Sequence, residues 1–481
     1  MTVKKRTKKM WIVITVMLVF HVLGFLSSID AVMSTRTSQG AIAWAVSLNT
    51  FPYLAVPAYW VLGRNKFQGY VSSRQQEDHE LRSVLLAARE QVKHLRSERS
   101  SESQDSYAGE QIAKLPYLRG NEVELLVDGQ DTFDNIFAGI EAAEEYILVQ
   151  FFIVKDDEIG RELHKRLVDR AKEGVRVYFL YDEVGSHTLS KSYINELREA
   201  GAEVLDFHTR KGPGNRFQIN FRNHRKIVVV DGHTAWVGGH NVGDEYMGRD
   251  PEFGHWRDTH MRITGPAALA VQLSFLEDWH WASDEIPEFG WGPHLPEGEG
   301  KDVLIFPTGP ADELESATLM FLTAINSADE RIWIASPYFV PDESVMNALH
   351  LAALRGADVR IIIPDKADHT LVWLAAYSYF DEAQLTGIRF FRYMEGFLHQ
   401  KVVLIDDEIS AIGTANFDNR SFRLNFEIMA VVADHAFNKE VEQMLLADME
   451  RSVEMQPGDL DDKSYWFQLA VRLARLTAPV Q

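Results

Sequence analysis

Apolar and polar positions alternate along this chain in distinct regimes. Met10–Ser28 is an uninterrupted, charge-free apolar run, and Ala41–Gly63 is a second, broken only by Asn49, Pro52 and Pro57. At about 1.5 Å of rise per residue, each is about long enough as a helix to cross a hydrocarbon layer of about 30 Å. The short polar loop Ile29–Gly40 between them predicts a two-helix transmembrane hairpin over residues 1–66, with helices at about 10–28 and 41–63. A basic start followed by an apolar run also fits a cleaved signal peptide; the length of the first run and the immediate second run favour the hairpin. Lys4, Lys5, Arg6, Lys8 and Lys9 precede the hairpin, and Arg64 and Lys66 follow it. The positive-inside rule therefore puts both of its ends, and the bulk of the chain, on the cytoplasmic side.

Gln75–Arg99 is highly charged, with Leu81, Leu85 and Leu95 at helical spacing, and Ser97–Ser106 contains no apolar residue. Residues 67–114 read as a charged juxtamembrane linker, flexible over its serine-rich part. Beyond it the pattern becomes that of alternating helices and buried strands, and it runs twice. Strand Tyr146–Val154, helix Arg161–Lys172 and strand Val175–Tyr181 are answered by strand Ile332–Ala335, helix Val345–Leu354 and strand Val359–Ile363. A helix ending near Ala143 precedes the first set, and Leu319–Asn326 precedes the second. The expected fold is α/β, with domains at 115–300 and 301–462, each a β-sheet flanked by helices, related by pseudo-twofold symmetry. The order of strands within the sheets is not legible at this level. Residues 463–481 end the chain with an amphipathic segment. Trp466, Leu469, Leu473 and Leu476 share a helical face there, which either lies in a membrane surface or docks on the domain.

The repeat carries chemistry. NHRKIVVVDGHTAWVGGHN (223–241) and LHQKVVLIDDEISAIGTAN (398–416) place His, Lys, Asp, Gly and Asn at identical offsets. These are His224, Lys226, Asp231, Gly238 and Asn241, and His399, Lys401, Asp406, Gly413 and Asn416. Residues two apart in a strand share a face, so each histidine points with its lysine while Arg225 and Gln400 point away. Symmetric packing would bring two imidazoles and two ammonium groups to one cleft.

The absence of cysteine from all 481 residues excludes disulfides, thiolate nucleophiles and cysteine-held metals. A net charge of −21 argues against a nucleic-acid partner. Against that acidity, Arg210, Lys211, Arg216, Arg222, Arg225 and Lys226 form a local basic excess, either a solvated loop or a lip facing anionic lipid.

Cationic groups around a phosphodiester stabilise the charge of its transition state. Lys226 and Lys401, with Asn241 and Asn416 as neutral donors, suit the non-bridging oxygens. One neutral histidine attacks phosphorus to give a phosphohistidine, while the other serves as acid and then base. That chemistry requires no metal or other cofactor. Asp231 and Asp406 stand where strands end in turns, which suits a structural role at least as well as a chemical one.

The doubled His-x-Lys-x4-Asp pattern resembles the HKD motifs of the phospholipase D superfamily over residues 115–450. SPYFVPDES (336–344), HWRDTHMRITGP (255–266), NFDNRSFRLNFEI (416–428) and the apolar hairpin make the chain similar to the bacterial cardiolipin synthases within it. The resemblance implies a phosphatidyltransferase of the bacterial cytoplasmic membrane, joining two phosphatidylglycerol molecules into cardiolipin and glycerol through a phosphatidyl-histidine. It implies His224 as nucleophile, His399 as acid/base, the motif aspartates as commonly structural, and Asp258 and Glu427 as the acids that orient the imidazoles. A hydrolase, or a transferase taking phosphatidylethanolamine as donor, would use the same residues. One departure stands out: the family's Gly-Ser-x-Asn is Gly238-Gly239-His240-Asn241 here, without the hydroxyl, and Gly413-Thr414-Ala415-Asn416 in the second copy.

Overall fold

The computed structural model describes residues 2–35, 37–63, 70, 79–207, 220–366 and 368–478. They fall into two units, residues 1–75 with 209–221, and residues 76–208 with 222–481.

Helices Thr2–Ser34, Ser38–Thr50 and Pro52–Leu62 make up the N-terminal unit. The first overruns the expected 10–28 at both ends, and its Lys8–Ser34 part is long and apolar enough to cross a membrane. The second expected span is not one helix, because it breaks at Phe51 (φ −130°, ψ 58°). A residue before proline is driven out of the helical region, and Pro52 brings no N–H of its own. Tyr59 donates its hydroxyl proton to the Asp30 carboxylate at 2.8 Å, and Trp60 Nε1 donates to Ser27 Oγ at 3.0 Å. These bonds tie the helices together beside an apolar cluster of Ala31, Leu48, Ala55, Val56 and Tyr59. Arg64 and Lys66 lie outside the described residues.

In the larger unit the two repeats share a single mixed sheet. At its centre Leu118–Val127 pairs antiparallel with Lys301–Thr308. Outward from Leu118–Val127 come Thr259–Thr264, Thr234–Gly238, Ile227–Val230, Tyr146–Phe151, Arg176–Asp182 and Glu203–Phe207. Outward from Lys301–Thr308 come Asn425–Ala433, Ile409–Gly413, Val402–Ile405, Arg331–Ala335, Asp358–Pro364 and Arg389–Tyr393, closed by Ser452–Glu454. The order is the same on both sides, which is the twofold relation expected from the repeat. Tyr146–Phe151, Arg176–Asp182 and Glu203–Phe207 run parallel to one another, as do their three counterparts. Parallel neighbours need crossover helices, here Glu158–Lys172 and Lys191–Glu199 on one side and Glu343–Arg355 and Thr370–Gln384 on the other. Asp157 and Asp342 cap two of these by accepting the N–H three residues on.

Two expectations change. The stretch 97–106 is ordered rather than flexible. Ser103 caps helix Gln104–Ala113, Arg99 pairs with Glu408 at 2.7 Å, Ser97 bonds Asp302, and Arg96 pairs with Glu110. The C-terminal helix Tyr465–Arg475 is docked on Thr370–Gln384, but by a face other than the one singled out from the sequence. Phe467 packs against Trp373 and Tyr377, Val471 and Ala474 are buried, and Trp466, Leu473 and Leu476 are left exposed.

Candidate active site

Both motif histidines lie just before their strands, in segments that cross to the other half. Arg222–Asn223 pairs parallel with Asn425–Phe426, and Phe397–Leu398 pairs parallel with Trp256–Arg257. The register continues into the histidines, since His224 N–H donates to Phe426 O at 2.9 Å and His399 N–H to Arg257 O at 2.8 Å. The residue after each acceptor carries the acid. Glu427 Oε2 lies 2.9 Å from His224 Nδ1, and Asp258 Oδ2 lies 2.7 Å from His399 Nδ1. Each imidazole is therefore held by a carboxylate of the opposite half, leaving Nε2 of each ring for other work.

The lysines turn back over the same loops. Lys226 Nζ donates to His224 O at 2.6 Å, and Lys401 Nζ donates to His399 O. Phe152 stands 5.0 Å from the His224 ring, and Trp256 stands 5.2 Å from His399. All four side chains are buried, and both lysines bear on His224 and on His399. Burial is the largest influence on each. It lowers His224 to about 4, despite the Glu427 carboxylate, and holds His399 well below the ordinary imidazole range. It lowers Lys226 to about 7 and Lys401 to about 8. A site that strains to keep its own protons is one that an entering anion would relieve.

The halves differ around the two acids. Glu427 also accepts from Thr414 Oγ1 at 2.6 Å, Ser421 Oγ at 2.8 Å and Asn425 Nδ2 at 3.1 Å. Asp258 takes the Thr259 N–H at 2.8 Å. Its shorter side chain brings the carboxylate against the backbone at Gly239, where a Cβ would fall 1.9 Å from Asp258 Oδ1. The missing hydroxyl of the first copy thus has a steric cause.

Of the remaining sequence candidates, Asn241 and Asn416 are buried at the ends of the motifs. Asn241 Oδ1 accepts the Ile153 N–H at 3.1 Å, whereas Asn416 Oδ1 has no partner among the described residues. Asp231 and Asp406 do not join the histidines. Each lies at the far end of its motif strand in a left-handed conformation (φ 53° and 47°). Asp231 accepts the N–H groups of Glu144, Glu145 and Tyr146, and Asp406 those of Asp329, Glu330 and Arg331, at 2.8–3.0 Å. Of the basic excess, Arg210, Lys211 and Arg216 fall outside the described residues. Arg225 is no lip residue, being buried against Asp278 at 2.8 Å.

Sequence reasoning missed the supports behind the motifs. Asp278 takes Arg225, Asn223 and Gln150. Its counterpart Asp448 takes Gln400 at 2.7 Å and Arg257 at 2.7 and 2.9 Å. Only the opposite pointing of Arg225 and Gln400 hinted at partners there.

The chain is similar to known proteins over most of its length. The family described as "Cardiolipin synthase, PLD-like domain" matches residues 136–270 and 321–449, one stretch per repeat. The chain is 49% identical over 463 residues to "Cardiolipin synthase A" of Pseudomonas fluorescens (strain SBW25), covering 96% of each. It is 48% identical over 466 residues to that of Pseudomonas entomophila (strain L48), again with 96% of each covered. Among solved structures, phosphatidylserine synthase of Haemophilus influenzae Rd KW20 superposes with a TM-score of 0.60 at 15% identity, over 79% of this chain and 100% of that one, a likeness of fold. With both repeats matched and nearly the whole length aligned, this chain belongs to the cardiolipin synthase family of PLD-like proteins.

Proposed function

We propose that the chain is a phosphatidyltransferase that makes cardiolipin from two phosphatidylglycerol molecules. The observation that carries the reading is the crossed pair of carboxylate–imidazole contacts, Glu427 on His224 and Asp258 on His399. His224 Nε2 attacks the phosphorus of the first lipid, so a P–N bond forms while the P–O bond to the glycerol headgroup breaks. His399, protonated, hands its proton to the departing alkoxide, and glycerol leaves. His399 then takes the proton of a headgroup hydroxyl on the second lipid. That oxygen displaces His224 from phosphorus and closes cardiolipin. Lys226 and Lys401 face the non-bridging oxygens, with the side-chain amide N–H groups of Asn241 and Asn416 as neutral donors. The loss of one such donor costs about 3–4 kcal/mol in the barrier.

The apolar helix Lys8–Ser34 supports attachment to a membrane. We read it, with the shorter helices after it, as an anchor over residues 1–66 that leaves the repeats at 115–300 and 301–462 on the cytoplasmic face. The basic residues around the anchor support that sidedness.

The test gives solubilised full-length protein and its His224→Ala variant phosphatidylglycerol, with and without phosphatidylethanolamine. Cardiolipin and glycerol from phosphatidylglycerol alone, lost in the variant, are the expected result. Phosphatidic acid as the main product would make the protein a hydrolase and overturn the proposal.

A further inference from the structure

The two halves differ on one face of the sheet, at equivalent places. In the first half a row across the strands reads Val228, Trp236, Arg262, Glu124; in the second it reads Val403, Ala411, Val431, Leu304. The first row carries bulky and charged side chains, and Trp236 and Arg262 line a polar surface pocket of about 550 Å³. Trp236 lies over Gly139, where a Cβ would fall 2.1 Å from its ring, and donates to Asn135 at 2.8 Å. Arg262 pairs with Glu124 at 3.1 Å. In the second row an alanine stands where the tryptophan was and apolar residues stand where the ion pair was. Helix Gln104–Ala113 roofs that place without filling it.

A cavity of about 350 Å³ remains, partly open to solvent. Its floor includes Leu304, Val403, Ala411 and Val431, with Met320 on one wall and Gly109 in the roof. Tyr117, 4% exposed, also lines it, and its hydroxyl has no hydrogen-bond partner among the described residues. At about 30 Å³ per water-sized unit, the space holds roughly a dozen, close to the extent of a hydrocarbon chain of that many methylenes. Charge is uneven around the cavity. Arg99 is matched by Glu408 and Asp406 by backbone N–H groups, while the exposed Asp105 and Asp329 carboxylates have no cationic partner among the described residues.

We infer that this cavity is a second lipid site, apart from the histidines, which takes one hydrocarbon chain of an amphiphile whose headgroup carries an ammonium. The chain lies on the apolar floor, the ammonium meets Asp105 and Asp329, and Tyr117 offers its hydroxyl to the polar end. The apolar lining selects a chain over a soluble anion. The unmatched carboxylates select an ammonium headgroup over a purely anionic one.

The test uses full-length protein in detergent and two photoactivatable lysolipids with a terminal diazirine, one with an ethanolamine headgroup and one with a glycerol headgroup. Labelled peptides are mapped by mass spectrometry. The ethanolamine probe is expected to label peptides containing Met320 and Met429 at least fivefold more than the glycerol probe does. Ala411→Trp, which restores the residue of the other half, should reduce that labelling at least tenfold. Ala411→Leu serves the same purpose if the tryptophan variant does not keep the wild-type melting midpoint. Equal labelling by the two probes, no labelling of these peptides, or labelling that survives the filled cavity would each overturn the assignment.

Discussion

Glu427 and His224 come from opposite halves of the sheet, yet their side chains meet at 2.9 Å because the strand pairing that begins at Arg222–Asn223 runs on by one residue. The neutral analogue Glu427→Gln keeps the size of the side chain but cannot stabilise an imidazolium, and it can present its amide to Nδ1 and so fix the wrong tautomer. A fall in kcat of about 10²–10⁴-fold is expected, with KM for phosphatidylglycerol changed much less. Steady-state kinetics in mixed micelles would check this, and an unchanged kcat would remove Glu427 from the reaction.

The unequal surroundings of the two acids give opposite expectations for equivalent positions. Thr414→Gly removes a 2.6 Å hydrogen bond to an ionised Glu427 and copies the first half. It should cost about 1.5–3 kcal/mol of transition-state stabilisation, roughly ten- to a hundredfold in kcat. Gly239→Ser supplies the hydroxyl that Thr414 gives the second half, but its Cβ has no room beside Asp258. That variant should lose melting temperature as well as activity, which a thermal scan alongside the assay would show.

How much of this was legible in the sequence depended on whether the information was local. His224, Lys226, His399 and Lys401 stood out because the same pattern is written twice on buried strands. Which acid serves which histidine was not legible, since the crossing is made by two-residue pairings that join histidine to acid across 203 positions in one case and 141 in the other. Asp278 and Asp448 were invisible for a similar reason, being buried acids on helices Ala267–Ser283 and His435–Glu450 that carry other acids as well. The order in 97–106 could not be read from its own serine-rich residues. It is imposed by distant Glu408 and Asp302 and by the apolar strand residues that the following helix covers. Pro52 was visible, but its power to split the second apolar run rested on Phe51 leaving the helical region.

Asp231 and Asp406 provide a control on the motif itself. Each carboxylate accepts three backbone N–H groups, and each residue has positive φ, which asparagine tolerates better than alanine. Asp231→Ala should destabilise the fold by about 2–4 kcal/mol and Asp231→Asn by less. The kcat of the folded fraction should stay within a fewfold of wild type. Loss of kcat without loss of melting temperature would return Asp231 to the chemistry.

Acidity should act on the substrate-free protein in a fixed direction. Lys226 at about 7 and Lys401 at about 8 lie below the ordinary lysine value of 10.5, and His224 at about 4 lies below 6.5. For bases lowered by folding, the unfolded chain binds more protons, so stability rises with pH. The lysine contribution is lost below about 7 and grows towards 10.5, and the histidine contribution grows between about 4 and 6.5. The melting midpoint should therefore increase from pH 6 to 9 without phosphate. Added inorganic phosphate should stabilise most at the lower end, where the lysines are charged. A midpoint that falls over this range would contradict the buried cluster.

The C-terminal helix is amphipathic twice over. Phe467, Val471 and Ala474 dock it on Thr370–Gln384, with the Arg475 guanidinium 4.7 Å from the Tyr379 ring. Trp466 and Leu476 remain 74% and 76% exposed, and Leu473 lies on the same outer side at 55%. A helix held in place by one face while presenting tryptophan and leucines on the other is suited to lie in a lipid headgroup layer, with Arg472 beside the phosphates. The two faces can be separated by mutation. Trp466→Ser with Leu473→Ser should leave the melting midpoint unchanged but lower the vesicle affinity of a soluble fragment beginning at residue 79, if that fragment folds alone, by about tenfold. In the full chain the same pair should raise the apparent KM for lipid dispersed in vesicles. Phe467→Ala should instead loosen the helix, seen as faster backbone amide exchange over 465–475. If the double serine variant binds vesicles and turns over as wild type does, the outer face is merely exposed and the membrane is held by the N-terminal helices alone.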